Sequence, residues 1–122
     1  MGQGREGRQN PAADMVVARC QDSICLASAI AAAADIAAGR ISSEELTRAC
    51  LDRIAERESE VRAWAWLSPE QAIAEACARD REPRRGLLHG IPVAVKDIID
   101  TVDMPTEYGT PIYRGHRPRR DS

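Results

Sequence analysis

The spacing of apolar residues along the chain predicts three helices in its first two-thirds. In the first, apolar residues recur at every fourth position between Ser23 and Ala38, which favours a helix with one apolar face. That face carries Leu26, Ile30 and Ala34. Gly39 follows directly and fits the end of a helix, where glycine readily adopts a left-handed conformation.

Two further helices are predicted from the signals at their N-termini. Ser42 and Glu45 have the spacing of a capping box, and the helix that begins there should span about 42–57. Ser68 is followed by a proline, which suits the first position of a helix over about 68–80. The inward-facing residues should be Leu46, Cys50 and Ile54 in the second helix, and Ile73, Ala76 and Cys77 in the third.

Two short segments have the composition of β-strands. Residues 63–67, Ala-Trp-Ala-Trp-Leu, carry two large aromatic rings two positions apart, which is typical of a strand. Residues 90–95, Gly-Ile-Pro-Val-Ala-Val, form an apolar run with no polar position, which favours a strand buried on both faces. Between the last helix and this run, residues 80–85 are all charged except for one proline and predict a solvated loop. Helices and strands together predict an α/β fold.

Composition and charge exclude several classes of protein. The chain of 122 residues is 43% hydrophobic but only 3% aromatic, so we expect a core of small volume. A net charge of −2 argues against nucleic acid as a partner, and no stretch approaches the roughly 20 apolar residues that span a bilayer. A cytoplasmic location is therefore predicted.

Residues 1–22 are polar without an apolar period, which predicts a flexible extension before a folded unit over 23–122.

The cysteines and histidines do not have the pattern of a metal site. The spacing of the four cysteines matches no zinc or redox motif, so we expect them to be reduced and structural: Cys20, Cys25, Cys50 and Cys77. His89 has no acidic partner nearby in the sequence and is expected to make a structural hydrogen bond. The pattern of cysteines and histidines thus does not predict a metal site.

The balance of basic residues singles out one position. Of the 17 lysines and arginines, Lys96 is the single lysine, and it directly follows the apolar run 90–95. Arginine stays protonated in proteins, whereas a desolvated lysine can become neutral and accept a proton. Lys96 is therefore a candidate general base. On composition alone, the favoured interpretation is instead a solvated residue at a strand end, or one that pairs with Asp97 or Asp100.

Residues 87–111 closely resemble the amidase-signature family. The run Leu-His-Gly-Ile-Pro-Val-Ala-Val-Lys-Asp at 88–97 is similar to the segment that carries the catalytic lysine of that family. The residues from Ile99 to Pro111 continue the match without a gap, and the order of the predicted elements extends it over about 23–118. The resemblance implies the N-terminal portion of a mixed sheet flanked by helices.

The same resemblance implies a hydrolase of carboxylic amides with a Ser–cisSer–Lys triad and no metal or cofactor. In such a triad a neutral lysine accepts a proton through a bridging serine, and a second serine attacks the amide carbonyl to form an acyl-enzyme. Carried over to this sequence, Lys96 is the proton acceptor and Asp97 a supporting neighbour. Ile98 departs from the family pattern, which often has asparagine there, and so removes one polar neighbour of the lysine.

The resemblance places both catalytic serines in a Gly/Ser-rich segment downstream of the matched residues. The serines before residue 122 have no glycine-rich setting: Ser23, Ser28, Ser42, Ser43, Ser59 and Ser68. Ser122 is the last residue. We therefore expect these 122 residues to be an N-terminal amidase fragment that is inactive by itself.

Other functions stay open at this stage. The glutaminase component of the tRNA-dependent amidotransferases shares the triad and acts with partner subunits, and a non-catalytic interaction module would need no serines. Nucleic-acid binding through the basic end is disfavoured because no aromatic residues are interleaved among Arg114, Arg117, Arg119 and Arg120. We expect a small-molecule amide as substrate and neither nucleic acid nor a membrane as partner, and we leave a homodimer open.

Overall fold

A computed structural model describes residues 24–122, which hold three complete α-helices followed by a long irregular segment. The helices are α1 (Ala29–Ala37), α2 (Ser43–Val61) and α3 (Pro69–Arg81), and a 3-10 turn forms at Pro111–Tyr113. In this part of the chain, no helix is long and apolar enough to cross a membrane. The extension predicted over 1–22 lies outside the described residues.

The capping signals of α2 and α3 are confirmed. Ser42 Oγ accepts a hydrogen bond from the Glu45 N–H at 3.0 Å, and Glu45 Oε2 accepts one from the Ser42 N–H at 2.7 Å, which completes a capping box. Ser68 Oγ accepts from the Gln71 N–H at 3.4 Å at the start of α3. Both helices run slightly further than predicted, to Val61 and Arg81.

The predicted end of α1 is confirmed, but its predicted start and buried face are wrong. Gly39 has a φ of +68°, and the Arg40 N–H donates to the Asp35 carbonyl, as in a Schellman motif. The helix begins only after Ser28, which caps it, rather than at Ser23. The predicted apolar face is exposed, Ile30 to 83%, while the residues that pack are Ala32 and Ala33. The small side chains of Ala32 and Ala33 allow the backbone of α1 to approach the rest of the structure more closely than Leu26 and Ile30 would.

Helices α2 and α3 pack against each other and form the centre of a small core. Leu46 and Ala76 are buried as predicted, and the other four residues of the predicted faces are half-buried. The first two residues of the predicted solvated loop at 80–85 belong to α3, and the first of them, Asp80, has a structural role. The Asp80 carboxylate accepts from the Ser43 N–H at 2.7 Å and the Glu44 N–H at 3.0 Å. It thereby caps the N-terminus of α2 from the end of α3.

The described residues contain no β-strand, so both strand predictions are wrong for this structure and the mixed sheet is not seen. After α2, Arg62 takes a left-handed conformation and the Glu58 carboxylate accepts the N–H groups of Ala63 and Trp64. That local bonding replaces a strand at 63–67. The run 90–95 is extended but unpaired, because a strand needs a neighbouring strand and none of the described residues supplies one.

Gly90 fixes the place where this extended run leaves the helices. Its φ is +83°, and the Ser43 hydroxyl donates to its carbonyl at 2.7 Å. A Cβ atom at this position would lie 3.1 Å from the Ser43 Cβ. Both the backbone conformation and the close approach therefore require glycine.

Gly90→Ala is expected to lower the free energy of unfolding by about 1–3 kcal/mol. An alanine at this position would be strained by the positive φ, and its Cβ would also lie too close to Ser43. Gly115→Ala is the matched control, because Gly115 also has a positive φ, +76°, but open space around it. Urea unfolding of both variants checks this expectation. Equal losses of unfolding free energy in the two variants would show that the close approach to Ser43 contributes nothing to the cost of Gly90→Ala.

Candidate active site

An open groove of about 740 Å³ lies between the α2–α3 pair and the irregular segment after α3. Its lining is mostly apolar and includes Leu51, Ile54, Trp64, Trp66, Val93 and Val95. Lys96 and Asp97, the two candidate residues, lie in the same lining. The structure therefore puts both tryptophans and the candidate base around one groove.

Lys96 ends the extended run, and its side chain is exposed to the groove rather than buried. Its carbonyl accepts from the Ile99 N–H at 3.0 Å, which starts a turn. Within residues 24–122, its ammonium group makes no ion pair or side-chain hydrogen bond. The amine is therefore accessible to a group that enters the groove.

Asp97 uses both carboxylate oxygens to hold a turn ten residues further along the chain. Oδ1 accepts from the Glu107 N–H at 2.7 Å, and Oδ2 accepts from the Gly109 N–H at 3.0 Å. Its carbonyl accepts from the Tyr108 N–H at 3.0 Å, while Tyr108 has a φ of +55°. The N–H groups of Glu107 and Gly109, followed by that of Tyr108 and by the charge of Lys96, lower the pKa of the Asp97 carboxyl.

The next acidic residue, Asp100, is also engaged elsewhere. The Tyr108 hydroxyl donates to Asp100 Oδ1 at 2.5 Å, and this bond raises the pKa of Tyr108 because ionisation would break it. The Asp100 N–H donates to Ser122 Oγ at 3.1 Å, and Asp121 accepts the N–H of Val102 at 2.8 Å. Neither Asp97 nor Asp100 pairs closely with Lys96, so the ion-pair interpretation of that lysine is not supported here.

Thr106 and Glu107 tie the same loop to residues nearer the C-terminus. Thr106 is 1% exposed, and its N–H donates to the His116 carbonyl at 3.0 Å. Glu107 Oε1 accepts from the Gly115 N–H at 2.7 Å. These contacts, together with those of Asp97, build a compact loop that supports the wall of the groove beside Lys96.

The remaining candidate groups have structural partners. His89 lies 2.9 Å from the Arg79 carbonyl through Nε2, and its Nδ1 accepts from the Arg85 N–H at 3.4 Å, which agrees with the structural role expected of it. Cys77 hydrogen-bonds to Glu44, which raises the pKa of the thiol, so Cys77 is more than a small apolar residue. Residues 24–122 hold no cluster of three His, Cys, Asp or Glu side chains that could bind a metal ion.

The hydrogen bonds to Asp97 are expected to make the 107–109 turn sensitive to acid. Because the folded-state pKa is lowered, their stabilisation is present above the unfolded value, about 3.9, and is lost as pH falls through the folded value. An NMR titration should show the Asp97 carboxyl titrating below its ordinary value, with amide exchange at 107–109 rising in the same pH range. Asp97→Asn should remove that pH dependence. A pKa of Asp97 at its ordinary value would contradict the inference that its hydrogen bonds to Glu107 and Gly109 stabilise the turn.

Comparison with known proteins identifies the family. The family model described as Amidase matches residues 45–122, more than half of the chain. A glutamyl-tRNA(Gln) amidotransferase subunit from Chloroflexus aggregans is 46% identical over 87 residues, which are 68% of this chain and 18% of the relative. "Putative amidase AmiD" of Mycobacterium bovis is 40% identical over 87 residues, again 68% and 18%. No solved structure matches the chain significantly.

The chain therefore belongs to the amidase family of hydrolases. It spans less than a fifth of the length of these curated relatives. The matched residues include the whole of the groove wall that carries Lys96 and Asp97. The names of the two relatives also agree with the resemblance that the run 88–97 indicates.

Proposed function

We propose that this chain supplies the general base of an amidase, Lys96, together with one wall of the groove in which the base works. The single observation that carries the proposal is the unpaired, exposed amine of Lys96 at the groove, in a chain of the amidase family. The substrate is a small carboxylic amide, which is hydrolysed to an acid and ammonia. The folded unit over 23–122 is the N-terminal part of an amidase domain whose mixed sheet includes 90–95.

The proposed chemistry uses Lys96 as a proton acceptor, a role that requires the neutral amine. In its neutral form Lys96 accepts a proton from a bridging serine, which in turn takes the proton of a nucleophilic serine. The nucleophile attacks the amide carbonyl, and the proton returns from Lys96 through the bridging serine to the leaving nitrogen, which departs as ammonia. Water then hydrolyses the acyl-enzyme to the carboxylic acid and restores the serine hydroxyl. Backbone N–H groups stabilise the oxyanion. In this scheme both serines and the oxyanion site come from outside the described residues.

Asp97 has a positioning role in the same proposal. Its two oxygens are occupied by the N–H groups of Glu107 and Gly109, so they do not fix the lysine in a tight ion pair. The carboxylate instead holds the loop that supports Lys96. This arrangement keeps the amine available while its backbone stays in place.

A grafted amidase tests the proposed function. The segment of the M. bovis AmiD relative that matches this chain is replaced by the corresponding residues of this chain, and ammonia release is measured with an amide that the parent hydrolyses. We expect turnover by the graft. A graft that folds, as judged by its circular dichroism and melting curve, but releases no ammonia would contradict the proposal.

The 122 residues by themselves are expected to be inactive in the same assay. Ser68 lines the groove, but its hydroxyl is the N-cap of α3 and accepts from the Gln71 N–H. It is therefore engaged as a helix cap rather than poised as a nucleophile. Turnover by the isolated chain that Lys96→Ala abolishes would show this expectation to be wrong.

A second candidate function is that of the glutaminase component of an amidotransferase. It is favoured by the 46% identity to the Chloroflexus relative, against 40% for the amidase relative. The same graft in each of the two relatives separates the candidates. An amidase segment should support hydrolysis of simple amides, whereas a glutaminase segment should support glutamine hydrolysis only in the presence of the partner subunits.

A further inference from the structure

Tyr108 has a backbone conformation that large side chains rarely adopt. Its φ is +55°, in the left-handed region that favours glycine. The other non-glycine residue with a positive φ in the described part of the chain, Arg62, ends helix α2, where that conformation is common. Tyr108 ends no helix. A strained residue of this kind persists only where surrounding contacts hold it, and such residues cluster at functional sites.

Two hydrogen bonds join Tyr108 to the turn that carries Lys96. Its N–H donates to the Asp97 carbonyl at 3.0 Å, and its hydroxyl donates to Asp100 Oδ1 at 2.5 Å. The turn itself is closed by the Ile99 N–H, which donates to the Lys96 carbonyl at 3.0 Å. Tyr108 therefore holds this turn at both of its ends, directly after the lysine and directly after Ile99.

Two further aromatic rings fix the ring of Tyr108. Tyr113 packs edge-on against it with centroids 5.1 Å apart, and the ring of His116 lies 6.3 Å away. Edge-on packing at such separations is favourable, so the cluster fixes the direction in which the Tyr108 hydroxyl points. The hydroxyl of Tyr113, by contrast, makes no hydrogen bond within residues 24–122.

We propose that Tyr108 is a positioning residue for the general base, and that loss of the proton from its hydroxyl releases the turn that carries this base. While the hydroxyl is protonated, it donates to Asp100 and holds Lys96 in place. Once the hydroxyl has lost its proton to water, two negatively charged oxygens face each other and the bond is lost. The role of Lys96 in this inference rests on the proposed function, but the contact of Tyr108 with Asp100 is tested without turnover.

The groups around the Tyr108 hydroxyl determine the direction of the pH effect. The hydrogen bond to Asp100 raises the pKa of Tyr108 most, followed by desolvation and by the charges of Asp100, Tyr113 and Asp97. His116 is the remaining titratable neighbour of the ring. Because the folded-state pKa is raised, the bond is fully present below the unfolded value, about 10, and is lost as pH rises through the folded value. The turn should therefore be held at neutral pH and released under alkaline conditions.

Phenolate absorbance of the 122-residue chain tests the contact directly, because Tyr108 and Tyr113 are its two tyrosines. Tyr113→Phe leaves Tyr108 as the single group that gives this signal. We expect it to ionise above the ordinary pH range of tyrosine, and Asp100→Asn in the same background should move the midpoint down toward that range. A midpoint in the ordinary range, or one that Asp100→Asn leaves in place, would overturn the inference.

Tyr108→Phe in the grafted amidase tests the positioning role, since it removes the hydroxyl and keeps the ring. We expect kcat at neutral pH to fall about 10- to 100-fold with KM nearly unchanged, because the base is displaced during catalysis while substrate binding is retained. Tyr113→Phe is the matched control: it removes a hydroxyl that has no partner in the described residues and should leave kcat unchanged. Equal kcat values in the two grafts would refute the positioning role.

The pH profile of the graft separates positioning from a merely structural role. With the hydroxyl present, kcat should fall over the alkaline range in which Tyr108 ionises, and in Tyr108→Phe this fall should be absent. A purely structural tyrosine would change the amount of folded graft but not the shape of the profile, so identical profiles would overturn the inference. If no graft releases ammonia, the proposed function is contradicted, whereas the absorbance titration still decides the contact of Tyr108 with Asp100.

Discussion

Lys96→Ala is expected to lower kcat of the grafted amidase by about 10² to 10⁴-fold, the usual contribution of a general base. The amine lies exposed at the groove, and no other lysine of this chain could take its place, because Lys96 is the single one. The remaining basic side chains are arginines and two histidines, of which His89 is engaged at the end of α3. Steady-state kinetics of ammonia release measures the effect.

Arg57→Ala is a suitable control for this substitution. Arg57 is an exposed residue on α2 whose ion pair with Glu60, at 3.3 Å, lies on the surface. Its loss should change neither turnover nor stability appreciably, because surface ion pairs contribute little. A Lys96→Ala graft that keeps turnover within a few-fold of the unsubstituted graft would show that another group accepts the proton.

Asp97→Ala is expected to lower kcat of the grafted amidase by about 10²-fold, because small displacements of a catalytic group have effects of that size. The substitution releases the N–H groups of Glu107 and Gly109. The loop beside Lys96 then loses the carboxylate that holds it in place. Steady-state kinetics measures the loss, and faster amide exchange at 107–109 should accompany it.

Asp103→Ala is the matched control for Asp97, since both aspartates line the groove. The Asp103 carboxylate accepts one long bond from Gln71, at 3.3 Å, and clamps no turn. Asp97→Asn should behave like Asp97→Ala, because its NH₂ group would face an N–H donor. If Asp97→Ala leaves the 107–109 turn protected and kcat unchanged, Asp97 has no positioning role.

The sequence predicted the helices well where the signal is local. Ser42 with Glu45, Ser68 and Gly39 each act within a few residues, and all three caps are present in the structure. The buried face of α1 was not predictable in the same way. Its packing depends on residues far away in the chain, including Arg84, which donates to the Ala33 carbonyl.

The strand predictions failed for a different physical reason. An apolar β-branched run such as 90–95 favours an extended backbone, and that is observed, but a strand also requires a hydrogen-bonded neighbour. Residues 24–122 provide none for it. Composition therefore predicts the extended conformation of the run, but the predicted burial is not observed, because the described residues supply no neighbouring strand.

The candidate site was predictable only in part. A single lysine among arginines, followed by the family resemblance, led to Lys96 without any structure. The contacts of Asp97 with a turn at 107–109, and of Asp80 with Ser43, join residues 10 to 37 positions apart. No local signal in the sequence marks such pairs.

The most direct test of Lys96 as a base is kcat/KM of the Lys96→Arg graft. Arginine keeps the positive charge and a similar length but does not give up its proton, so it can replace a cation and cannot replace a base. We expect kcat/KM to fall as far as in Lys96→Ala, with the fold and melting temperature of the graft retained. If Lys96→Arg instead keeps kcat/KM within about tenfold of the unsubstituted graft, Lys96 acts as a charge and not as the proton acceptor.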